Sequence, residues 1–229
     1  MKNLFMEYGI QLSDDKISKL NSFGDYLRSV NEVMNLTTVT ENGEMWIKHF
    51  LDSIVGSPYF PAGASCCEVG SGGGFPSIPL KIFREDLKFT LVESTGKKCE
   101  YLKRVRDHLH LNGVEVVCAR AEELSKKEDF REMFDVVTAR AVARLNTLCE
   151  YCIPFVKRGG LFIAYKGDAE EEIKEAENAV KILGGKIKSV ETFDLPGGAG
   201  KRNIVIIEKI KETPLKYPRG NGKERKNPL

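Results

Sequence analysis

Four glycines lie within five consecutive positions of this chain, directly after a short apolar run. The run is "SCCEV" (65–69), and "GSGGGFPSIPL" (70–80) follows it, so that Gly70, Gly72 and Gly74 have the spacing GxGxG. Glycine adopts backbone angles that other residues avoid, and it lets a ligand approach the backbone closely. In doubly wound α/β sheets such a loop follows the first strand and binds a ligand at the carboxyl end of the sheet. The spacing therefore predicts a ligand-binding loop; the alternative is a loop that only turns tightly.

The ligand that suits this loop is S-adenosylmethionine. The dinucleotide fingerprint GxGxxG needs a third glycine where this chain has Phe75, and a phosphate-binding P-loop needs a Gly-Lys-Ser/Thr sequence that is missing here. Glu93 ends the next apolar run, roughly twenty residues further on, where a carboxylate can accept hydrogen bonds from both ribose hydroxyls. We therefore predict that Glu93 binds the ribose; the alternative is a surface acid that begins a helix.

The elements around the loop must bring such residues to one edge of a sheet. Short apolar runs alternate with helical patterns from residue 65 to 166, which is typical of buried parallel strands. Two later runs, 186–195 and 202–209, are joined by "PGGAGK" and predict an antiparallel hairpin. The pattern predicts an α/β fold of the class I S-adenosylmethionine-dependent methyltransferases, Rossmann-like, with a seven-stranded sheet in the order 3-2-1-4-5-7-6 and an N-terminal helical extension. The predicted units are an N-terminal helical element (1–60), the methyltransferase domain (61–209) and a basic C-terminal tail (210–229).

Charge is distributed unevenly along the chain. Residues 211–229 contain six Lys or Arg and two Glu, which gives +4, whereas the whole chain carries +2 and the remainder therefore −2. A basic end on a slightly acidic body indicates an anionic partner; the alternative is a solvated, disordered terminus.

The cysteines and the N-terminus bear on metal binding and localisation. Cys149 and Cys152 have CxxC spacing, but no second pair completes a zinc site, so no metal is predicted. The sequence contains no apolar run long enough for a signal peptide core or a membrane span. We therefore expect a cytoplasmic protein with reduced thiols.

The ends of the third and fourth predicted strands supply further candidates. Ala121 and Glu122 follow the third strand and are predicted to lie beside the adenine. Thr138, Arg140 and Arg144 end the fourth strand and are predicted to lie over the reacting centre. Arg140 has an alternative interpretation as a salt-bridged surface residue.

Several segments together resemble one known family, the bacterial glucose-inhibited division protein B family. The segments are "NLTTVTENGEMWIKHFLDSI", "EVGSGGGFPSIPLKI", "LVESTGKKCEYLKRV", "RAEEL", "FDVVTARAVARL", "AYKG" and "LKYPRGNGKERKNPL". The resemblance covers nearly the whole chain and implies a methyltransferase that makes 7-methylguanosine in the 530 loop (nucleotide 527) of 16S small-subunit rRNA. By position, it implies cofactor contacts from Gly70, Phe75, Ala121, Glu122 and Arg140. The chain departs from the family at Glu93, where many members have Asp, and at Ser77, where the family usually has Gly.

The implied chemistry needs no general base, because guanine N7 carries a lone pair and no proton. Catalysis then depends on in-line positioning, for which Arg140 and Lys166 are the candidates. Lys166 has an alternative interpretation as a lysine that only reaches solvent from a strand end. Asn35, His49 and Asp52 are expected to cover the cleft, although a lone histidine is more often a structural hydrogen-bond partner.

The expected partner is 16S rRNA, in the small ribosomal subunit or an assembly intermediate, bound by a monomer. The RNA-binding candidates are cations near the cleft and in the tail, with one aromatic residue among them: Lys166, Lys201, Arg202, Lys216, Tyr217, Arg219, Lys223, Arg225 and Lys226. A small-molecule methyltransferase and a non-catalytic ribosome-assembly factor remain as alternatives on the same fold. Phe75 disfavours an NAD-dependent oxidoreductase.

Overall fold

Seven strands form one sheet in the order β3-β2-β1-β4-β5-β7-β6, in a computed structural model that describes residues 2–229. The first five strands are parallel, and β7 is antiparallel to both β5 and β6. This confirms the predicted fold class and strand order. The strands are β1 (Ser65–Val69), β2 (Lys88–Glu93), β3 (Val114–Cys118), β4 (Phe134–Arg140), β5 (Val156–Lys166), β6 (Gly185–Leu195) and β7 (Gly200–Lys209).

Helices cover both faces of the sheet, as they do in doubly wound α/β proteins. The helices are α1 (Lys2–Met6), α2 (Asp14–Met34), α3 (Asn42–Met45), α4 (Asp52–Ile54), α5 (Ser77–Phe83), α6 (Gly96–His108), α7 (Ala121–Leu124), α8 (Leu145–Cys152), α9 (Glu170–Ile182) and α10 (Lys223–Lys226). One core cluster joins α2, α5 and α6 to the sheet, and a second joins α8 and α9 to the opposite face. No helix within residues 2–229 is both long and apolar enough to span a bilayer.

The N-terminal helices lie over the glycine loop. Ser13 caps α2, because its side chain accepts a hydrogen bond from the Lys16 amide at 3.3 Å. Phe23 of α2 is buried and packs on Phe75 of the loop, with ring centroids 5.3 Å apart. The first sixty residues therefore pack against the edge of the sheet where the predicted site lies.

A π-helical turn, Trp46–Leu51, connects α3 to α4. Such turns are rare and recur at functional sites. Here the turn and the start of α4 carry His49 and Asp52, both buried, toward the end of β4.

The tail folds back on the domain, and we call residues 210–229 the strap. The Arg131 guanidinium donates hydrogen bonds to the carbonyl oxygens of Thr213 at 2.7 Å and Tyr217 at 3.1 Å. Tyr217 is buried in the second core cluster, which corrects the expectation that its ring is free to stack on an RNA base. Arg219 is also not a free cation for RNA, because it forms an ion pair with buried Glu150 at 2.7 Å.

Candidate active site

Three glycines of the loop have positive φ angles that only glycine adopts at low cost. The φ angles are +73° at Gly70, +49° at Gly72 and +90° at Gly74. A β-carbon on Gly70 would lie 2.6 Å from Val142, and one on Gly74 would lie 2.7 Å from Ile78. A β-carbon on Gly72 would meet only the Gly70 carbonyl oxygen, at 3.8 Å. The loop is therefore tightly packed on both flanks and open at Gly72, where a ligand has room.

Glu93 lies at the end of β2 and supports this loop directly. One carboxylate oxygen accepts a hydrogen bond from the Gly72 amide at 3.0 Å, and the other accepts one from the Thr95 amide at 2.8 Å. A carboxylate has about four lone-pair positions. Two of these positions on Glu93 are therefore free, and the two amides already fix the orientation of the carboxylate. Such a carboxylate can accept hydrogen bonds from two neighbouring ribose hydroxyls.

A cleft with two lobes opens at this edge of the sheet, and the predicted cofactor residues line it. The first lobe, about 320 Å³, lies between the ends of β1, β2 and β3. Its lining includes Gly70, Ser94, Ala119, Ala121, Glu122, Val142, Tyr151, Gly222 and Arg225. The second lobe, about 650 Å³, lies beneath the N-terminal helices. Its lining includes Asn35, Thr37, His49, Gly70, Gly72, Phe75, Glu93, Lys98, Arg140, Val142 and Arg225.

Arg140 is the centre of a hydrogen-bond network in the second lobe. Its Nη1 donates to Asp52 Oδ2 at 2.7 Å and to the Lys48 carbonyl oxygen at 3.1 Å. Its guanidinium lies over the Phe75 ring, 4.9 Å from the centroid. Arg140 is thus ion-paired, as the alternative interpretation expects, but it lines the cleft rather than the outer surface.

His49 completes this network as a neutral ring. Its Nδ1 lies 3.1 Å from Arg140 Nη2, which can only donate, and 3.0 Å from the Lys48 carbonyl oxygen, which can only accept, so each tautomer satisfies one of these two contacts. Its Nε2 lies 2.7 Å from Thr37 Oγ1, a hydroxyl that can donate or accept. Burial, with the nearby charge of Arg140, lowers the pKa of His49 to about 3. His49 is consequently uncharged at physiological pH.

Asp52 joins two cations on β4 and β7, strands that flank β5 in the sheet. Besides Arg140 it forms an ion pair with Arg202 of β7, at 3.2 Å between Oδ1 and Nε. Asn35, the third member of the trio expected to cover the cleft, lines the second lobe in a left-handed conformation at the end of α2. Asn35 and His49 thus line the cleft, and His49 and Asp52 contact Arg140.

Lys166 points along the loop after β4 rather than into either lobe. It forms an ion pair with Glu172 at 2.6 Å and donates to the Ala143 carbonyl oxygen at 2.9 Å. Glu172 in turn accepts a hydrogen bond from the Leu145 amide at 2.9 Å. Lys166 therefore holds the segment 141–145 that follows Arg140, and a direct contact with guanine finds no support in this geometry.

The other two residues predicted over the reacting centre are also held elsewhere. Thr138 is buried and donates to the Ile163 carbonyl oxygen at 2.9 Å. Arg144 is exposed and forms an ion pair with Glu175 at 2.7 Å. Neither residue lines the cleft, which corrects their assignment.

The exposed cations of the RNA-binding set are Lys201, Lys216, Lys223, Arg225 and Lys226. Four of them lie on the strap, and Arg225 also lines both lobes of the cleft. The sequence does not predict that a strap residue reaches the first lobe, because no local pattern in "GNGKERK" indicates packing near the end of β1.

Glu68 is a buried residue near the site that the sequence analysis does not single out. It lies two residues before Gly70 on β1 and is fully buried, and neither of its carboxylate oxygens has a hydrogen-bond partner within residues 2–229. Burial raises the pKa of Glu68 to about 8. A charged residue inside the apolar run "SCCEV" was the available signal.

Metal ligands do not gather anywhere in the described part of the chain. Residues 2–229 contain no cluster of three or more His, Cys, Asp or Glu side chains placed to hold a metal ion. Cys149 and Cys152 are buried free thiols of the second core cluster.

Comparison of the sequence with known proteins identifies one family. The family model described as "rRNA small subunit methyltransferase G" (GidB) matches residues 16–205. Ribosomal RNA small subunit methyltransferase G of Lactobacillus acidophilus is 44% identical over 228 residues, covering 97% of this chain and 95% of that protein. The protein of the same name from Brevibacillus brevis is 48% identical over 224 residues, covering 96% of this chain and 94% of its own length.

Solved structures resemble the chain in fold. The structure of M. jannaschii TYW2 in complex with AdoMet has a TM-score of 0.55 and covers 76% of this chain and 80% of that one. At 15% identity, the likeness concerns the arrangement of strands and helices alone.

Proposed function

Because the chain belongs to the family of rRNA small subunit methyltransferase G, we propose that it is a methyltransferase of 16S rRNA. S-adenosylmethionine is the methyl donor, and the acceptor is N7 of a guanine. The guanine is nucleotide 527, in the 530 loop. The observation that carries the proposal is the family match, together with a glycine loop whose Gly72 amide is held by the Glu93 carboxylate.

The residues present fit S-adenosylmethionine. Gly72 leaves open space beside the backbone, and Glu93 keeps lone pairs for two ribose hydroxyls. Ala121 and Glu122, at the first turn of α7, line the first lobe, where they would border the adenine. When bound there, S-adenosylmethionine supplies an electrophilic methyl group.

The cleft contains positioning groups rather than a general base. The buried His49 ring is neutral, and both of its nitrogens lie within hydrogen-bond distance of protein groups: Nδ1 of Arg140 and the Lys48 carbonyl oxygen, and Nε2 of Thr37. Glu93 holds two backbone amides, and we assign its remaining lone pairs to the ribose hydroxyls rather than to the guanine. Attack by the N7 lone pair on a methyl group releases no proton, which suits a cleft of this kind. Orientation of the two reactants can then supply much of the rate enhancement.

Arg140 is suited to orient the guanine. A guanidinium has five N–H donors, and Lys48, His49 and Asp52 engage at most three of those of Arg140. At least two remain for guanine O6, so that N7 stays free to react. Arg140, Arg202 and Asp52 together carry one net positive charge, which favours an approaching nucleotide.

The exposed lysines Lys201, Lys216, Lys223 and Lys226 would hold the surrounding rRNA by its phosphates. We propose that the protein acts in the cytoplasm as a monomer, on the small subunit or an assembly intermediate.

Methyl transfer to defined rRNA tests the proposal. Small subunits, and naked 16S rRNA, from cells that lack this modification would be incubated with the protein and labelled S-adenosylmethionine, and the RNA would be digested to nucleosides. We expect all of the label in 7-methylguanosine, at about one per rRNA. Label in another nucleoside would contradict the proposal. S-adenosylmethionine binding without any transfer to rRNA would favour a small-molecule methyltransferase or a non-catalytic assembly factor.

A further inference from the structure

The strap is anchored by buried charges, and this fixes its position beside the cofactor cleft. Arg219 pairs with Glu150 of α8 at 2.7 Å, and its own backbone amide donates to the same carboxylate at 2.8 Å. Glu150 is only 1% exposed. A buried carboxylate is costly unless it is paired and hydrogen-bonded, so Glu150 selects one docked position of the strap.

A second anchor lies five residues further on. Glu224 is fully buried within the strap, and its side chain accepts a hydrogen bond from the Gly220 amide. Its carbonyl oxygen accepts one from Thr147 Oγ1 of α8 at 3.0 Å. The two anchors fix the segment between Arg219 and Glu224 against one helix, α8.

Arg225 follows the second anchor directly and is the strap residue that reaches the cleft. It lines the first lobe together with Gly222 and Tyr151, and it also lines the second lobe. The two lobes share Gly70, Ser94 and Val142 besides Arg225. Arg225 therefore lies where the ends of β1 and β2 approach the loop after β4.

We infer that the strap completes the S-adenosylmethionine site, with Gly222 and Arg225 as the outer wall around the adenine and the Arg225 guanidinium covering the ring. The inference rests on the proposed function and deepens it. A guanidinium is planar and weakly hydrated, so it stacks well on an aromatic ring and holds it without a specific hydrogen bond. The family model matches residues 16–205 and the strap begins at residue 210, so the match to the model does not itself assign these contacts.

Cofactor binding by the full-length chain tests this inference. We expect Arg225→Ala to raise the Kd for S-adenosylmethionine about fivefold, and Arg225→Lys to raise it less, because lysine keeps the charge but loses the planar face. Arg158→Ala, an exposed arginine near the start of β5 at the opposite edge of the sheet, is the charge-matched control and should leave the Kd unchanged. Because Arg225 is exposed, melting temperatures of all variants should match that of the unaltered chain.

Two further measurements separate a cofactor contact from an RNA contact. The change in Kd should persist at high salt, whereas a phosphate contact weakens steeply as salt rises. Amides 220–226 should exchange more slowly with deuterated water when S-adenosylmethionine is bound and no RNA is present.

The outcomes distinguish this inference from the proposed function. Equal affinity of the unaltered chain and Arg225→Ala for S-adenosylmethionine would overturn the inference alone. So would loss of rRNA binding by Arg225→Ala at an unchanged cofactor Kd, because Arg225 would then be an RNA contact. Failure of the unaltered chain to bind S-adenosylmethionine would overturn the inference and the proposed function together.

Discussion

Arg140 Nη2 lies 3.1 Å from His49 Nδ1, so a permanent cation faces the ring of a buried histidine. Burial and this neighbouring charge together keep His49 neutral. The ring also stacks on Phe75, with centroids 4.4 Å apart. The histidine thereby connects the π-helical turn to the glycine loop and fixes the guanidinium that we assign to the guanine.

The pH dependence of His49 follows from this contact. Burial lowers the pKa of His49 from 6.5 to about 3. Between these pH values the unfolded chain binds a proton at this ring and the folded chain does not. The stability associated with the neutral ring is complete above about pH 6.5 and is lost as the pH falls from there toward 3. We expect nitrogen NMR to find His49 neutral, with a single ring proton, between about pH 5 and pH 8. A titration of the His49 ring with a midpoint near pH 6.5 would refute the assignment.

Substitution of Arg140 should affect turnover more than cofactor affinity. A lysine keeps the charge but cannot bind Lys48, His49 and Asp52 at once, so the remaining donors lose their orientation. We expect Arg140→Lys to lower kcat for rRNA methylation about 100-fold and to change the Kd for S-adenosylmethionine less than fivefold. Arg158→Ala serves as the control that keeps full kcat. Equal losses in kcat and affinity would show that Arg140 acts chiefly on the cofactor.

Glu93 should determine cofactor affinity. Its carboxylate holds the Gly72 and Thr95 amides and keeps lone pairs for the ribose, so loss of its charge weakens both functions. Hydrogen bonds to charged groups are worth about 1.5–3 kcal/mol, which corresponds to a roughly tenfold to 100-fold increase in Kd for Glu93→Gln. Glu93→Asp keeps the charge, and its Kd should lie between those of the unaltered chain and Glu93→Gln. Calorimetric titration with S-adenosylmethionine measures all three, and an unchanged Kd for Glu93→Gln would exclude the ribose assignment.

Lys166 and Glu172 should act as one unit. Lys166→Ala is expected to lower methyl transfer about tenfold while leaving cofactor affinity nearly unchanged, because the segment 141–145 loses an anchor. Glu172→Gln removes the same ion pair and should cause a similar loss, and the double variant should lose little more. If Lys166 instead contacted rRNA directly, Glu172→Gln would leave transfer intact. Equal loss of transfer and cofactor affinity in Lys166→Ala would contradict both interpretations.

Glu68 should destabilise the free protein at alkaline pH. Burial raises its pKa to about 8, so the folded chain holds a proton that the unfolded chain releases above its ordinary pKa of 4.5. Its favourable contribution is complete below about pH 4.5 and is lost as the pH rises toward 8. Glu68→Gln imitates the protonated form and should raise Tm at pH 8 by about 5 °C, with little change near pH 5. Thermal melts of both proteins at both pH values test this, and a pH-independent difference would count against a buried ionisable Glu68.

The sheet and the glycine loop could be predicted because their signals are local. Apolar runs of strand length alternate with helical patterns, and glycines occupy positions where positive φ angles are required. The strand order is confirmed by the structure. The sequence also predicts the ligand of the loop, because the spacing of Phe75 and Glu93 from the glycines favours S-adenosylmethionine.

The partners of the site residues could not be predicted from local patterns. The π-helical turn 46–51 has no sequence signature, yet it presents His49 to Arg140. The strap reads as a polar, cationic run, and its burial depends on Glu150 and Arg131, both remote in the chain. The sequence therefore predicts an RNA contact for Tyr217, whereas in the structure its ring belongs to the second core cluster.

The most direct test of the account is the position of the methyl group on the rRNA. 16S rRNA from cells that lack this modification would be methylated by the protein, treated with borohydride and aniline to cleave the strand at 7-methylguanosine, and mapped by primer extension. We predict a single new cleavage in the 530 loop, at nucleotide 527, that requires S-adenosylmethionine and is strongly reduced with Arg140→Lys. A cleavage elsewhere in the rRNA, or none despite bound S-adenosylmethionine, would contradict the account.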